Sequence, residues 1–269
     1  MAPPDDRVRL LAPADLYERI GEPLTAQCIS PAFEMVGGLA GGAEVLDVAC
    51  GPGALSVTAA ELGARVTAVD VSEDMVARAA QRLARHPSCT ATVMDAQVLE
   101  FGDATFDAAF SMFGVINLPD WGGALREMVR VTRPGGHGCI SSWTDPRTVA
   151  SVGLLVEAMA EVFPERETIP RPAGVLLAAE PDALREGLEG AGFRDVTVRA
   201  VQVVWEVPSV EGFLAELDQF YGFMPPYLGL TADERDRLTP ALRAAAYRRA
   251  GSDGKLRATT TAHLAAGRV

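Results

Sequence analysis

Val45-Leu-Asp-Val-Ala-Cys-Gly-Pro-Gly53, with Asp70 closing the next apolar run, is the stretch whose reading decides the fold. Its apolar opening reads as a buried strand, Gly51-Pro-Gly53 as a tight turn, and Ala54 onward as a helix. Glycines lack Cβ and let a backbone approach a ligand closely. The start of a helix offers that ligand N–H groups with no partner inside the helix. A carboxylate ending the second strand stands where ribose hydroxyls are held in nucleotide-binding units. The stretch therefore implies a nucleoside-bearing cofactor.

Two cofactors compete for it. The dinucleotide fingerprint is G-x-G-x-x-G, and here the register is Gly51-Pro-Gly53-Ala-Leu-Ser56, with Ser in place of the third Gly. Asp47 decides between them. It lies inside the first strand, where a buried charge is costly unless something uses it. An acid at that place suits a positively charged cofactor. S-adenosylmethionine (SAM) carries a sulfonium and an ammonium and has no pyrophosphate to repel a carboxylate.

At these residues the chain resembles the class I SAM-dependent methyltransferases, in the branch of the ubiquinone/menaquinone methyltransferases and small-molecule tailoring enzymes. Four stretches carry the resemblance: Leu46-Asp-Val-Ala-Cys-Gly-Pro-Gly53, Val66-Thr-Ala-Val-Asp70-Val-Ser-Glu-Asp-Met75, Val93-Met-Asp95-Ala-Gln97 and Arg130-Val-Thr-Arg-Pro-Gly-Gly136. They come in family order over about residues 44–143, and the tail from Asp195 also fits. Ala49 departs from the pattern, because the family often has Gly there. The resemblance implies roles for particular residues. Gly51 and Gly53, with Ala49, meet the amino-acid part of SAM. Asp47 lies near its ammonium, directly or through water. Asp70 holds the ribose hydroxyls, with Val71 beside it, and Met75 packs on adenine. Asp95 accepts from the adenine amino group, next to Ala96, and Ser111 and Met112 face the methyl donor.

Outward from this core, strands alternate with helices, which argues an α/β, doubly wound parallel sheet. Strands are expected at Glu44–Ala49, Arg65–Asp70, Thr90–Met94, Phe106–Ser111 and His137–Trp143. Helices are expected from Ala54 to Leu62, from the cap Ser72 to about Arg85, and from Trp121 to Thr132. Asp145-Pro146 reads as a cap and first helical position, Pro164, Pro170 and Pro172 as a broken loop, and Asp195–Val207 as a long strand. Leu256–Val269 reads as the last strand. The resemblance implies a Rossmann-like sheet of seven strands, the last antiparallel and lying between the fifth and sixth.

Three parts of one composite domain follow. Residues 1–40 form an N-terminal helical cover, 41–207 and 253–269 the SAM-binding core, and 208–252 a helical insertion. That insertion is too long for a hairpin loop. Thr231-Ala-Asp-Glu234 is a capping-box pattern, and Thr239-Pro240 reads as the restart of a helix. Phe220-Tyr-Gly-Phe-Met-Pro-Pro-Tyr227 is dense in aromatics. It is either a wall of the acceptor pocket or a small core for the insertion itself.

Composition excludes other classes. The chain has 269 residues, 48% of them hydrophobic, and a formal net charge of −12. That is a folded, acidic protein, which argues against nucleic acid and anionic membrane as partners. Nearly all cations are Arg, with Lys255 the single Lys. Cys28, Cys50, Cys89 and Cys139 have no metal-ligand spacing, and free thiols fit a cytoplasmic protein. Asp5 and Asp6 with no apolar segment argue against a signal peptide. A homodimer stays open.

Methyl transfer from a sulfonium needs proximity and orientation first, and a base only where the acceptor keeps its proton. No residue names itself as that base. Tyr17 and Asp145 are the candidates by position. His86, His137 and His263 read as structural or surface residues. Tyr17, Asn117, Trp143, Tyr221 and Tyr227 are candidates to line the acceptor site, although Tyr17 equally suits packing on the core. Arg147, Arg166 and Arg171 could meet an anionic acceptor if turned inward. The function expected is SAM-dependent methylation of a small molecule, a specialised metabolite by default. The alternative is a SAM-fold protein that uses SAM without methylating, in a rearrangement or decarboxylation, or that binds ligand as a regulator. An NAD(P)-dependent oxidoreductase fits less well, given Asp47, Ser56 and the single Lys.

Overall fold

The computed structural model describes residues 13–166, 179–222 and 224–269. Asp5, Asp6, Pro170, Arg171, Pro172 and Phe223 lie outside the described residues. In chain order the helices are α1 (Ala14–Ile20), α2 (Glu22–Thr25), α3 (Ile29–Met35), α4 (Ala54–Glu61), α5 (Glu73–Leu83), α6 (Trp121–Val131), α7 (Ala150–Val162), α8 (Pro181–Ala191), α9 (Val210–Ala215), α10 (Leu217–Tyr221), α11 (Pro225–Leu228) and α12 (Ala232–Arg249). The strands are β1 (Glu44–Val48), β2 (Arg65–Asp70), β3 (Thr90–Val93), β4 (Phe106–Met112), β5 (Thr132–Trp143), β6 (Arg194–Val207) and β7 (Leu256–Arg268).

One seven-stranded sheet has the order β3-β2-β1-β4-β5-β7-β6. β1 pairs in parallel with β2 on one side and β4 on the other, so Leu46 faces both Thr67 and Ala109. A central parallel strand is covered on both faces, which is why Val45, Leu46 and Val48 are fully buried. The chain leaves β1 for β2 on one side and reaches β4 on the other. Strand order reverses there, and a crevice opens at the carboxyl ends. β7 runs antiparallel to β5, with Gly138 opposite Gly267. Neither has room for a side chain: a Cβ at Gly138 would stand 2.4 Å from the Phe193 ring, and one at Gly267 2.9 Å from Phe193 Cβ and 3.0 Å from Val196 Cγ2.

Several boundaries differ from those expected. β1 ends at Val48 rather than Ala49, because Ala49 turns into the left-handed region. β5 begins at Thr132 rather than His137. Phe106 pairs with Thr132 and Ala108 with His137, so the Pro134-Gly-Gly136 segment is a bulge within the strand and not a turn before it. Asp145-Pro146 does not open a long helix: residues 146–148 form a single 3-10 turn, and α7 starts at Ala150. α12 runs unbroken through Pro240. The Pro ring removes one backbone donor at a cost of about 3 kcal/mol, and burial of Leu238, Ala241, Leu242, Ala245 and Ala246 along that helix offsets it. The Thr231–Glu234 capping box is formed as read.

The chain divides into two compact units. Of the described residues, the α/β unit holds 13–144, 179–201 and 261–269. Its core gathers Leu46, Val69, Ala109, Ile116 and Ile140 with Leu125 and Met128 of α6 and Leu184 and Leu188 of α8. The helical unit holds 145–166, 202–222 and 224–260. Its own core is aromatic: Trp205 meets Phe213 and Phe220 edge-on, and Phe213 meets Tyr221 the same way.

Candidate active site

The loop after β1 is where the α/β unit becomes chemical. Ala49, Gly51 and Gly53 have φ values of 53°, 55° and 89°. Two of the three are glycine, for which the left-handed region costs nothing. Ala49 is not, and its strain is about 1 kcal/mol. The Ala49 side chain stays there because residue 114 has none: a Cβ on Gly114 would come within 2.4 Å of Ala49 Cβ. A Cβ on Gly51 would meet only a Tyr17 ring carbon at 4.0 Å. The backbone at Gly51 is thus open on its cleft side. Gly53 caps α4, and a Cβ there would stand 3.0 Å from Ala79 of α5.

Beside this loop is an open cleft, lined by α/β-unit residues that include Tyr17, Glu22, Ile29, Asp47, Cys50, Leu55 and Met112. None of the described residues lining it carries a positive charge. Asp47 is buried, and its Oδ2 accepts from Ser56 N–H at 3.1 Å and from the Ser56 hydroxyl at 2.6 Å. Ser56 is the third residue of α4. The positive end of the helix is therefore already occupied by a carboxylate of the protein. The N–H of Ser56 is not free for a ligand, as the opening sequence pattern had implied for the helix start. Burial pushes the Asp47 carboxyl up to about 7, against the two Ser56 bonds that lower it.

Asp70 ends β2 and is also buried. It accepts from Gly51 N–H and Ser72 N–H, both at 2.9 Å. Burial raises its pKa, and these backbone bonds oppose the rise. The carboxylate thus ties the glycine loop to the start of α5, where Ser72 caps the helix by accepting from Met75 N–H. Met75 is buried behind it and Val71 is part-exposed. Asp95, past the end of β3, accepts from the backbone and side-chain amides of Gln97. Ala96 beside it is buried.

Tyr17 reaches the loop from α1. Its phenol is raised in pKa, mainly by burial, and lies 3.4 Å from the Thr25 hydroxyl. Three polar contacts hold α1 and α2 to α5: Ala14 N–H to Asp74, Glu18 to Arg78, and a two-pronged pair between Glu22 and Arg82. Arg82 also donates to the Pro52 carbonyl at 3.0 Å. Cover helices and glycine loop are thereby joined through one guanidinium.

After β4, the buried Ser111 hydroxyl accepts from Val115 N–H, and Met112 reaches the cleft. Phe113 adopts φ 60°, and its N–H donates to the Ser141 hydroxyl. Asn117 donates to the Phe113 carbonyl at 2.6 Å, and Trp143 stacks on the Phe113 ring at 4.1 Å. Asn117 and Trp143 thus converge on one strained residue.

The structure brings Tyr17, Asp47, Ala49, Gly51 and Met112 to one cleft, with Asp70 and Gly53 bonded to its loop. Three candidates, Asp145, Tyr221 and Tyr227, belong to the helical unit. Asp145 pairs with Arg147 at 2.9 Å. The Tyr221 hydroxyl donates to the Ser151 carbonyl, and that of Tyr227 to Asp218. Both rings are buried among the aromatics of that unit. Glu22, Thr25, Ile29 and Ser56 were missed by motif reading. Ser56 had a signal in plain view, as the mismatch at the third glycine of the dinucleotide fingerprint. The others come from cover helices that carry no motif.

Comparison with known proteins points to one enzyme family. The family described as a methyltransferase domain matches residues 45–136. An uncharacterised protein of Mycobacterium tuberculosis is 38% identical over 142 residues, 52% of this chain and 50% of that protein. The match thus spans about half the length of that relative. Demethylmenaquinone methyltransferase of Mycolicibacterium gilvum is 35% identical over 165 residues, 58% of this chain and 70% of the relative. Among solved structures, Haemonchus contortus phosphoethanolamine N-methyltransferase 2, in complex with S-adenosyl-L-methionine, superimposes with a TM-score of 0.53 and 20% identity. That match covers 90% of this chain and 52% of the other, and it speaks to the fold alone.

Proposed function

Since this chain belongs to the class I SAM-dependent methyltransferases, we propose that it binds SAM in the cleft beside Gly51 and methylates a small, largely apolar metabolite. The observation that carries this reading is Asp47 at the head of α4. A dinucleotide needs that helix end free for its pyrophosphate, whereas here it holds a carboxylate and no cation lines the cleft. That donor set fits a cofactor bearing an ammonium and a sulfonium. When bound, SAM supplies a methyl carbon activated by positive sulfur, which an acceptor lone pair attacks as the carbon–sulfur bond breaks.

The chain's own residues bind and orient. In this reading Asp70 keeps its two backbone bonds and accepts ribose hydroxyls on its remaining lone pairs. Met75, Asp95 and Ala96 bound the adenine side. Ile29, Leu55 and Met112 keep water from the reacting end, which strengthens the electrostatics there. Tyr17, raised in pKa, stays protonated and acts by shape and hydrogen bonding. An acceptor from specialised metabolism is supported by the apolar lining and the net charge of −12, which disfavours nucleic acid. The demethylmenaquinone methyltransferases among the relatives also point to a small apolar acceptor.

Calorimetric titration with SAM, S-adenosylhomocysteine and NAD tests the cofactor. Micromolar binding of the first two without NAD is expected, and binding of NAD alone overturns the proposal. Asp70→Ala should weaken SAM at least tenfold with the fold intact. An unchanged affinity would remove Asp70 from the site.

A further inference from the structure

We propose that Ser56 is a positioning residue for the amino-acid end of the cofactor, acting through Asp47, and that it makes this site select a cation; the inference rests on the SAM reading above. Ser56 is fully buried and touches the cleft only through its partner. Both of its donors, the backbone N–H and the hydroxyl, go to the same oxygen, Asp47 Oδ2. Two donors from one residue fix the plane of the carboxylate. Among the described residues no donor reaches Oδ1, which is left for a ligand ammonium on the side where Asp47 lines the cleft.

The surroundings show why this clamp matters. Asp70 on β2, Cys50 in the loop, Tyr17 on α1 and Glu22 on α2 are the titratable groups around Asp47 and its cleft, and each is acidic or neutral. The Arg82 charge is spent on Glu22 and the Pro52 carbonyl. Only the start of α4 and the two Ser56 donors favour the ionised carboxylate before a ligand arrives. A glycine at this position, as in the dinucleotide fingerprint, supplies no hydroxyl. The serine is therefore a specificity determinant: it keeps a negative charge where a pyrophosphate would otherwise lie.

The test titrates wild type, Ser56→Ala, Asp47→Asn and the double variant across pH 6–9. The ligands are SAM and 5′-methylthioadenosine, which has the nucleoside and sulfur but neither the amino-acid end nor the charge. Wild type should bind SAM more tightly as pH rises through the Asp47 titration, until the ligand's own α-ammonium is lost at about pH 8. Ser56→Ala should weaken SAM about tenfold near pH 7 and move that midpoint upward by about one pH unit, leaving methylthioadenosine unchanged. On the Asp47→Asn background it should cost nothing further. Equal loss for both ligands, an equal loss with Asn at 47, or no loss at any pH each overturns the role of Ser56. If wild type binds SAM and one of these is seen, the cofactor reading stands without it. If wild type does not bind SAM, both fall.

Discussion

A carboxyl buried in a parallel strand leaves its mark on how folding depends on pH. Asp47 has its folded-state value raised to about 7 from an ordinary 3.8, with burial the largest cause. A group raised in the folded state gives its full stability below its unfolded pKa and loses it as pH climbs through the folded one. Without ligand, Asp47 should therefore cost the protein stability progressively between about pH 4 and pH 7. Asp47→Asn keeps the shape and an acceptor for Ser56 N–H while removing the charge. Its unfolding free energy relative to wild type should rise over that window and level off above it, by roughly 2–4 kcal/mol. Thermal melts of both proteins across pH 4–8 measure the difference, and parallel curves would show that Asp47 is not strained by burial. This residue was legible in the sequence because a charge inside an apolar run is conspicuous. Its partner was not, because nothing in the sequence says which of the following residues turns back to meet it.

At the level of elements, α1 and α2 are tied to α5 by ion pairs and bury few apolar side chains of their own. α1 has one buried residue, Ala14, and α2 one, Leu24. Arg82, about one-fifth exposed, grips both Glu22 and the Pro52 carbonyl. Arg82→Ala should speed amide exchange across 14–25 about tenfold or more and weaken SAM, with α4 and β1 still protected. Hydrogen exchange read by mass spectrometry decides it, and unchanged exchange at 14–25 would show that apolar packing alone seats the cover. Such pairing was beyond motif reading, since Glu18–Arg78 and Glu22–Arg82 are each sixty residues apart. Local signals fared better. Ser72 and Thr231 cap their helices as read, because capping depends on neighbours a few residues away. The bulge at Pro134–Gly136 escaped because it is a property of pairing with β4, which no single strand displays.

For the whole molecule, the strand–helix alternation and the resemblance together made the sheet order readable, whereas the division into two units was not. Residues 145–166 join 202–222 and 224–260 although α/β-unit residues stand between them in the chain, and periodicity carries no information about that union. The aromatic stretch near 220 shows the same limit. Tyr221 and Phe213 are fully buried with Trp205 and Phe220, an arrangement that gives the helical unit a core of its own. Phe213→Ala should cost that unit about 3–5 kcal/mol and lower its melting transition in calorimetry. The SAM dissociation constant should stay within about threefold of wild type, since every cleft residue belongs to the α/β unit. A large loss of SAM affinity would show that the helical unit reports to the cofactor site. The sheet order also has a consequence for synthesis. β7 lies between β5 and β6 although it follows both in the chain. While a ribosome is still making the residues before Leu256, β5 has β4 on one side and nothing on the other, and β6 has no neighbour to join. The nascent chain must carry two unfilled strand edges until its last strand slides between them, which makes this interval the one in which a chaperone, or another copy of the same chain, has most to hold.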